Sequence, residues 1–330
     1  TGSAGSDSLW LRLNDDGVLE YSEDGEAFLT DLDPVTALVQ ELVLSADSLI
    51  TVNLGEADDT LYIDALLSDA LTGFEATLDY LGGAGNGDTL AGPELNSTWE
   101  IAGSNSGILN TFINFTGTEN LSGGGALDVF VIADGAGIDG TLDAGDGEDA
   151  LDYSAWQTAI TLDLDAEQAT GTNTTHSIEQ LTGGEASDTL IGPADGALWN
   201  ISGVDEGEIL DIIGFTGIEN LTGTADSQDG FVFLEEGSLT GTITGGDGGP
   251  DGFVVEEAPA EDVVSTAVAL ERDSLAAQDR RLGMASGDSF IGGICPHDEH
   301  LYASRVCVHL TERITAPRIL LIGVFHRAKT

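Results

Sequence analysis

A segment of this chain occurs twice with a strict offset of 100 residues, and that repetition restricts the fold more than any other feature. Asp88-Thr89-Leu90-Ala91-Gly92-Pro93 returns as Asp188-Thr189-Leu190-Ile191-Gly192-Pro193. Trp99 returns as Trp199, and Phe115-Thr116-Gly117 with Glu119-Asn120-Leu121 returns as Phe215-Thr216-Gly217 with Glu219-Asn220-Leu221. Within this unit runs a shorter rhythm. Gly-rich turns begin near 82, 103, 123, 144, 183, 203, 223 and 245, mostly about 20 apart, and the signal weakens near 163. Between them lie short runs rich in β-branched and aromatic residues, such as Val129-Phe130-Val131-Ile132, Ile160-Thr161-Leu162-Asp163-Leu164 and Phe231-Val232-Phe233-Leu234. One such coil cannot bury its apolar face alone, so the spacing predicts stacked coils. The expected fold is mainly β: a right-handed parallel β-solenoid with coils of about 20 residues, followed by an incomplete α/β fragment. Stacking places equivalent residues in rows, which accounts for Asn120 and Asn220 recurring before Leu. A β-sandwich array is the alternative, but strict registry and frequent glycine fit coil turns better than hairpins.

The turns carry a chemical pattern. Gly123-Gly124-Gly125-Ala126-Leu127-Asp128-Val129-Phe130 fits Gly-Gly-x-Gly-x-Asp-x-apolar with Ala at the fourth place, and Gly183-Gly184-Glu185-Ala186-Ser187-Asp188-Thr189-Leu190 does the same. Ala144 to Leu151 fits with Ala at the first place, Gly82 to Leu90 with one inserted residue, and Gly223 to Phe231 loosely. This resembles the calcium-binding nonapeptide repeat of haemolysin-type (RTX-like) secreted bacterial proteins. The longer unit looks like the repeats of giant bacterial surface adhesins. The resemblance covers about 50–250, including a degenerate copy at Gly55-Glu56-Ala57-Asp58-Asp59-Thr60-Leu61. It implies calcium bound by the turn carboxylates Asp88, Asp128, Asp149, Asp188 and Asp229. Chemically, glycines permit positive φ and expose carbonyls, while Ca²⁺ takes six to eight oxygens. Here the loops are single rather than in close tandem, and a lone turn offers few oxygens. The other reading, in which these Asp and Gly residues only cap and shape turns, stays open.

Residues 1–50 form a less regular β-rich lead-in. Leu9 to Leu13, Asn14-Asp15-Asp16-Gly17 and Val18 to Tyr21 read as a hairpin, and Pro34 to Leu49 alternates as a continuation of the β region. Asn-x-Ser/Thr occurs at Asn96, Asn114, Asn120, Asn173, Asn200 and Asn220, a pattern that Asn/Ser/Thr-rich turns generate by chance.

Charge then divides the chain. The formal net charge is −50, from 59 acids against 9 Lys and Arg. Before residue 272 the only basic side chain is Arg12; the other eight, with both cysteines and the single Met, lie in 272–330. The composition therefore reads as a chimera of an acidic solenoid over 51–250 and a different segment over 251–330, joined near 250–272. Such acidity excludes nucleic-acid binding over most of the chain. No run reaches a membrane span, so no membrane insertion is expected. With no signal peptide and a start at Thr1, the chain reads as a piece of something longer.

From Ala260 to Leu282 apolar residues recur at helical spacing. Pro296-His297 after one expected strand, and Gly323-Val324-Phe325-His326 closing another over Arg318 to Phe325, resemble the opening of the Memo family, related in fold to class III extradiol dioxygenases. The likeness spans about 255–330, the first quarter to third of such a domain. It implies His297 and His326 as remnants of a transition-metal site, such as one for iron, in a truncated and inactive domain.

The expected function is therefore a non-catalytic, calcium-stabilised repeat segment of a secreted or cell-surface bacterial adhesin, with host or matrix surface ligands as partners. A Memo-like metal enzyme carrying a repeat domain is the alternative. Carbohydrate processing on a parallel β-helix is disfavoured because the carboxylates sit at turns.

Overall fold

A computed structural model describes residues 4–32, 35, 38–246, 251–255 and 320–321. They are mainly β with one helix, and the chain is a β-solenoid of about 6 turns. It divides into two compact units, Thr1–Ile160 with Glu167–Ala186 and Thr161–Ala166 with Ser187–Thr330.

The first unit opens with the expected hairpin. Strands β1 (Ser8–Leu13) and β2 (Leu19–Ser22) pair antiparallel around Gly17, whose φ of +73° lies in the left-handed region that glycine enters without a Cβ penalty. Then follow β3 (Leu49–Asn53), β4 (Thr60–Ile63), helix α1 (Ala65–Phe74), β5 (Thr77–Leu81), β6 (Thr89–Ala91), β7 (Ser97–Gly103) and β8 (Ser106–Leu109). After these come β9 (Ile113–Thr116), β10 (Asn120–Ser122), β11 (Asp128–Ile132), β12 (Ile138–Asp143) and β13 (Ala150–Asp152). One sheet has the order β12-β10-β6-β4-β1-β2, with Thr172–His176 beyond β12, and it is parallel except at β2. The facing sheet has the order β13-β11-β7-β8-β9-β5-β3, with Gln180–Thr182 beyond β13.

Parallel register puts like side chains in rows. Leu61, Leu90, Leu121 and Leu142 align in the first sheet and are buried. In the second, Trp99 stacks on Phe130 with centroids 5.4 Å apart and meets Phe115 edge-on at 6.3 Å. Period-2 alternation thus aims every second side chain of a strand at the core, as with Trp99 and Ile101 or Phe130 and Ile132.

The coils have two lengths. Stacked positions are 21 residues apart where a coil holds only strands and turns, as from Asp128 to Asp149 and Asn120 to Thr141. They are 29 and 31 apart from Asp59 to Asp88 and from Asp88 to Glu119. The longer coils carry insertions. One contains α1, which the sequence reading missed. Its N-cap Asp64 accepts the Leu66 N–H at 2.9 Å, and Leu67 and Leu71 fill the core at i and i+4 spacing. The next contains an antiparallel β7–β8–β9 meander. Gly103, expected at a coil corner, therefore lies at a hairpin end instead; the tight turn continues through Asn105 at φ +50°.

The second unit repeats this scheme. Thr161–Asp163, Thr189–Ile191, Asn220–Thr222 and Ile243–Thr244 pair in parallel, burying Leu162, Leu190 and Leu221. Leu198–Gly203, Glu206–Ile209 and Ile213–Thr216 form the second meander, so Gly203 is likewise at a hairpin. Trp199, Phe231 and Phe253 stack in series, each pair with centroids 5.3 Å apart.

One expectation differs from the structure. Residues 38–48 form no strand, and Val43 makes only an isolated bridge to Val18, because the apolar side chains Leu38, Val39 and Val43 face solvent rather than a sheet partner. Of the strand expected over Arg318 to Phe325, Leu320 and Leu321 are described, and they pair antiparallel with Val254 and Phe253; the strand and helix expected before it in a parallel α/β unit lie outside the described residues. The predicted helix from Ala260 lies outside the described residues.

Glycine spacing makes a stability prediction. A Cβ on Gly123 would overlap the Ala144 carbonyl of the neighbouring coil, whereas one on Gly73 of α1 would meet nothing. Urea unfolding should show Gly123→Ala destabilised by about 1–3 kcal/mol and Gly73→Ala neutral or stabilised by up to about 1 kcal/mol.

Candidate functional site: a buried carboxylate ladder

Many of the strands that enter the core begin with or follow an acid, and those acids stack. In the first unit the N–H of Asp7 donates to Asp59 Oδ1 at 2.7 Å, the N–H of Asp59 to Asp88 Oδ1 at 2.8 Å, and the N–H of Asp88 to Glu119 Oε2 at 3.1 Å. On the facing sheet the N–H of Asp128 donates to Asp149 Oδ1 at 2.7 Å, and that of Asp149 to Glu179 Oε2 at 2.8 Å. The second unit repeats both runs. Asp188 donates to Glu219 Oε2 at 2.7 Å, and Ala197 and Asp229 donate to Asp229 Oδ1 and Asp251 Oδ1 at 3.0 and 3.1 Å. A parallel ladder leaves the amide at each coil corner without a strand partner, and the acid one coil on supplies the acceptor. These are charge-assisted bonds to main-chain amides.

All five aspartates singled out from the sequence are rungs. Asp88, Asp128, Asp149, Asp188 and Asp229 are each 0% exposed. The Gly-Gly-x-Gly-x-Asp pattern missed Asp59, Glu119, Glu179, Glu219 and Asp251. A shorter signal finds the whole set: an acid two residues before the inward apolar residue, as in Asp59-Thr60-Leu61, Glu179-Gln180-Leu181 and Asp251-Gly252-Phe253. His297 and His326 lie outside the described residues.

The rungs differ in how far they are satisfied. Asp128 is closed: Oδ1 takes the indole N–H of Trp99 at 3.0 Å and Oδ2 the N–H of Gly124 at 2.9 Å. Asp229 is closed as well, with Trp199 Nε1 at 3.1 Å from Oδ1 and the Ser227 hydroxyl donating to Oδ2 at 2.8 Å. By contrast, Oδ2 of Asp59, Asp88 and Asp149 is buried without a hydrogen-bond partner. A buried, unpaired carboxylate oxygen is costly. No compensating cation is near: Arg12, the only Lys or Arg among the described residues, is paired with Glu20 at 2.8 Å.

Electrostatics follow from that arrangement. Burial pushes the Asp88 carboxyl above the usual carboxylate range, and Glu119, Asp59 and Asp58 push in the same direction. Burial also raises Asp149, helped by Glu148, Asp143 and Asp146. Glu179 is raised by burial, then by Asp149 and Glu148. Asp128 is raised by burial despite its bonds from Gly124 and Trp99.

The donor set decides what a rung could hold. Among the described residues no three His, Cys, Asp or Glu side chains converge on one point. A cation at a rung would therefore draw one carboxylate oxygen from a side chain and the rest from turn carbonyls and water, a set that suits Ca²⁺ and not a transition metal. The open oxygens of Asp59, Asp88 and Asp149 fit that requirement. Asp128 and Asp229, whose oxygens are both occupied, do not. Comparison with known protein families, with curated proteins and with solved structures returns no match.

Two outcomes are expected. Trp99→Phe removes the indole donor from a buried carboxylate and should cost about 1–3 kcal/mol in chemical unfolding. In metal-free buffer, groups with raised folded-state pKa values bind protons more tightly folded than unfolded. Stability should therefore be greatest in mild acid and fall as pH rises from about 4 through the raised values of Asp88, Asp128, Asp149 and Glu179. Urea midpoints across pH 4–8 read this directly; midpoints that rose with pH would contradict the assignment.

Proposed function

We propose that this chain is a non-catalytic repeat segment of a secreted or cell-surface bacterial adhesin, a spacer whose coils are held by the carboxylate ladder and stabilised by calcium. One observation carries the calcium reading: Asp88 and Asp149 are fully buried, each with an oxygen that no donor satisfies and that no cationic side chain among the described residues offsets. The resemblance of the turns to haemolysin-type repeats supports the choice of ion, and the repeated 100-residue unit supports the adhesin setting. Bound calcium would supply charge compensation at these rungs. The chain's own part is to present one carboxylate oxygen and the adjacent carbonyls in a turn narrowed by glycine, where a Cβ on Gly82 would strike both the Gly117 carbonyl and Asp88 Cβ.

The mechanism is linkage. An ion that binds the folded turns and not the unfolded chain stabilises by about 2.7 kcal/mol at 100 times its Kd. Because it competes with protons for the same oxygens, it should also flatten the loss of stability with rising pH.

Thermal unfolding followed by circular dichroism with EDTA, and then across calcium concentrations to millimolar, tests the reading. Calcium should raise Tm in the native chain. Asp88→Asn and Asp149→Asn should each shrink that rise while raising Tm in EDTA, because the amide removes buried charge. Asp229→Asn should leave the calcium response intact. A Tm indifferent to calcium would leave the rungs as purely structural caps.

A further inference from the structure

The two sheets of the first unit end differently, and the difference marks an interaction surface. The first sheet is closed: β2 runs antiparallel to β1, and its outer side is itself covered by main-chain bonds from Leu19 to Leu42 and between Tyr21 and Leu29. The second sheet ends at β3, whose only strand partner among the described residues is β5. The N–H of Thr77 on β5 donates to the Ser48 carbonyl at 3.0 Å, so residues 48, 50 and 52 turn their main-chain groups toward β5. By alternation Leu49, Thr51 and Asn53 turn theirs to the open edge. All three are exposed, Leu49 by 62%, while Ile50 and Val52 are buried and fix the strand in place.

Three common edge protections are missing from the sequence and pairing of β3. It has no Lys, no Pro and no register break against β5. Its surroundings are acidic. Asp47 precedes it, Glu56 follows it, and Asp79 lies beside Thr51 in the parallel register. A second copy of this chain would bring the same charge to the same place, and no lysine or arginine of its described residues is free to offset it.

We infer that the open edge of β3 is a docking site for an extended, basic peptide segment of a partner protein, which adds a strand through the main-chain groups of Leu49, Thr51 and Asn53. Strand addition supplies the affinity, and the exposed acids Asp47 and Glu56 at the two ends of β3 favour Lys or Arg on the incoming strand. This inference does not depend on calcium at the rungs.

The test uses the full chain and a fluorescein-labelled peptide of alternating Lys and Val, about nine residues long. Its controls are the same peptide N-methylated at alternate residues, which keeps the charge and removes the edge hydrogen bonds, and a Glu/Val counterpart. Fluorescence anisotropy should show saturable binding of the Lys/Val peptide at least about ten-fold tighter than of either control. Hydrogen exchange should slow at Leu49, Thr51 and Asn53 when it binds. Thr51→Pro should weaken binding by a similar factor with its circular dichroism unchanged; should that variant unfold, the methylated peptide decides alone. Equal binding of the native and methylated peptides would reduce the effect to bulk charge and overturn the site. Protection elsewhere, or protection of these amides by self-association without peptide, would overturn it too.

Discussion

The bond from a main-chain amide to the carboxylate one coil further on is the interaction on which the rest of this structure depends. A parallel stack satisfies amides within its strands but leaves those at the coil corners facing the core side of a turn. An asparagine or serine could accept one such bond. An acid accepts it more strongly, and it leaves a second oxygen for another donor. The distances of 2.7 to 3.1 Å recur at six rungs, whether the acceptor is Asp or Glu, while Asn120 and Asn220 accept the amides of Thr141 and Thr242 in the same manner. Register follows from it. A one-residue slip would face the amide with an apolar side chain and turn the leucine row outward.

This constraint also explains why the composition is acidic and glycine-rich together. Glycines sit where neighbouring coils meet main chain to main chain, as at Gly83 against the Gly55 carbonyl and Gly145 against the Gly124 carbonyl, both at positive φ. The close approach brings the carboxylates of successive coils into line. Burial and mutual repulsion then raise the proton affinity of Asp88 and Asp149, and among the described residues the single Arg or Lys, Arg12, is paired elsewhere. The same tightness that makes the ladder possible makes it electrostatically demanding.

The sequence disclosed the stacking because repetition is a direct image of register: the 100-residue offset, the Trp pair and the Asn-Leu pair all occupy equivalent places. It disclosed half of the rungs because the glycine pattern reports turn geometry, and turn geometry only partly coincides with the carboxylate positions. Glu119, Glu179 and Glu219 escaped because a longer side chain reaches the same amide from a turn of different shape. The meanders escaped because Gly103 and Gly203 resemble coil corners in one dimension. Only pairing distinguishes a hairpin end from a coil turn. Helix α1 escaped because its two core leucines sit within a single insertion, too short to set up a periodic signal against the β background.

What separates the rungs from one another is tryptophan. Trp99 and Trp199 each place an indole N–H on an aspartate while the ring stacks on Phe130 or Phe231. A neutral donor thereby satisfies the carboxylate without adding charge, and the stacked rings keep water from it. Where no tryptophan reaches, at Asp59, Asp88 and Asp149, the second oxygen is buried without a hydrogen-bond donor. The two tryptophans thus decide which turns are sealed by the chain itself. On the proposed calcium reading, the open turns would couple the stability of the stack to the solution around it, so a change in cation would act at particular coils rather than uniformly along the solenoid.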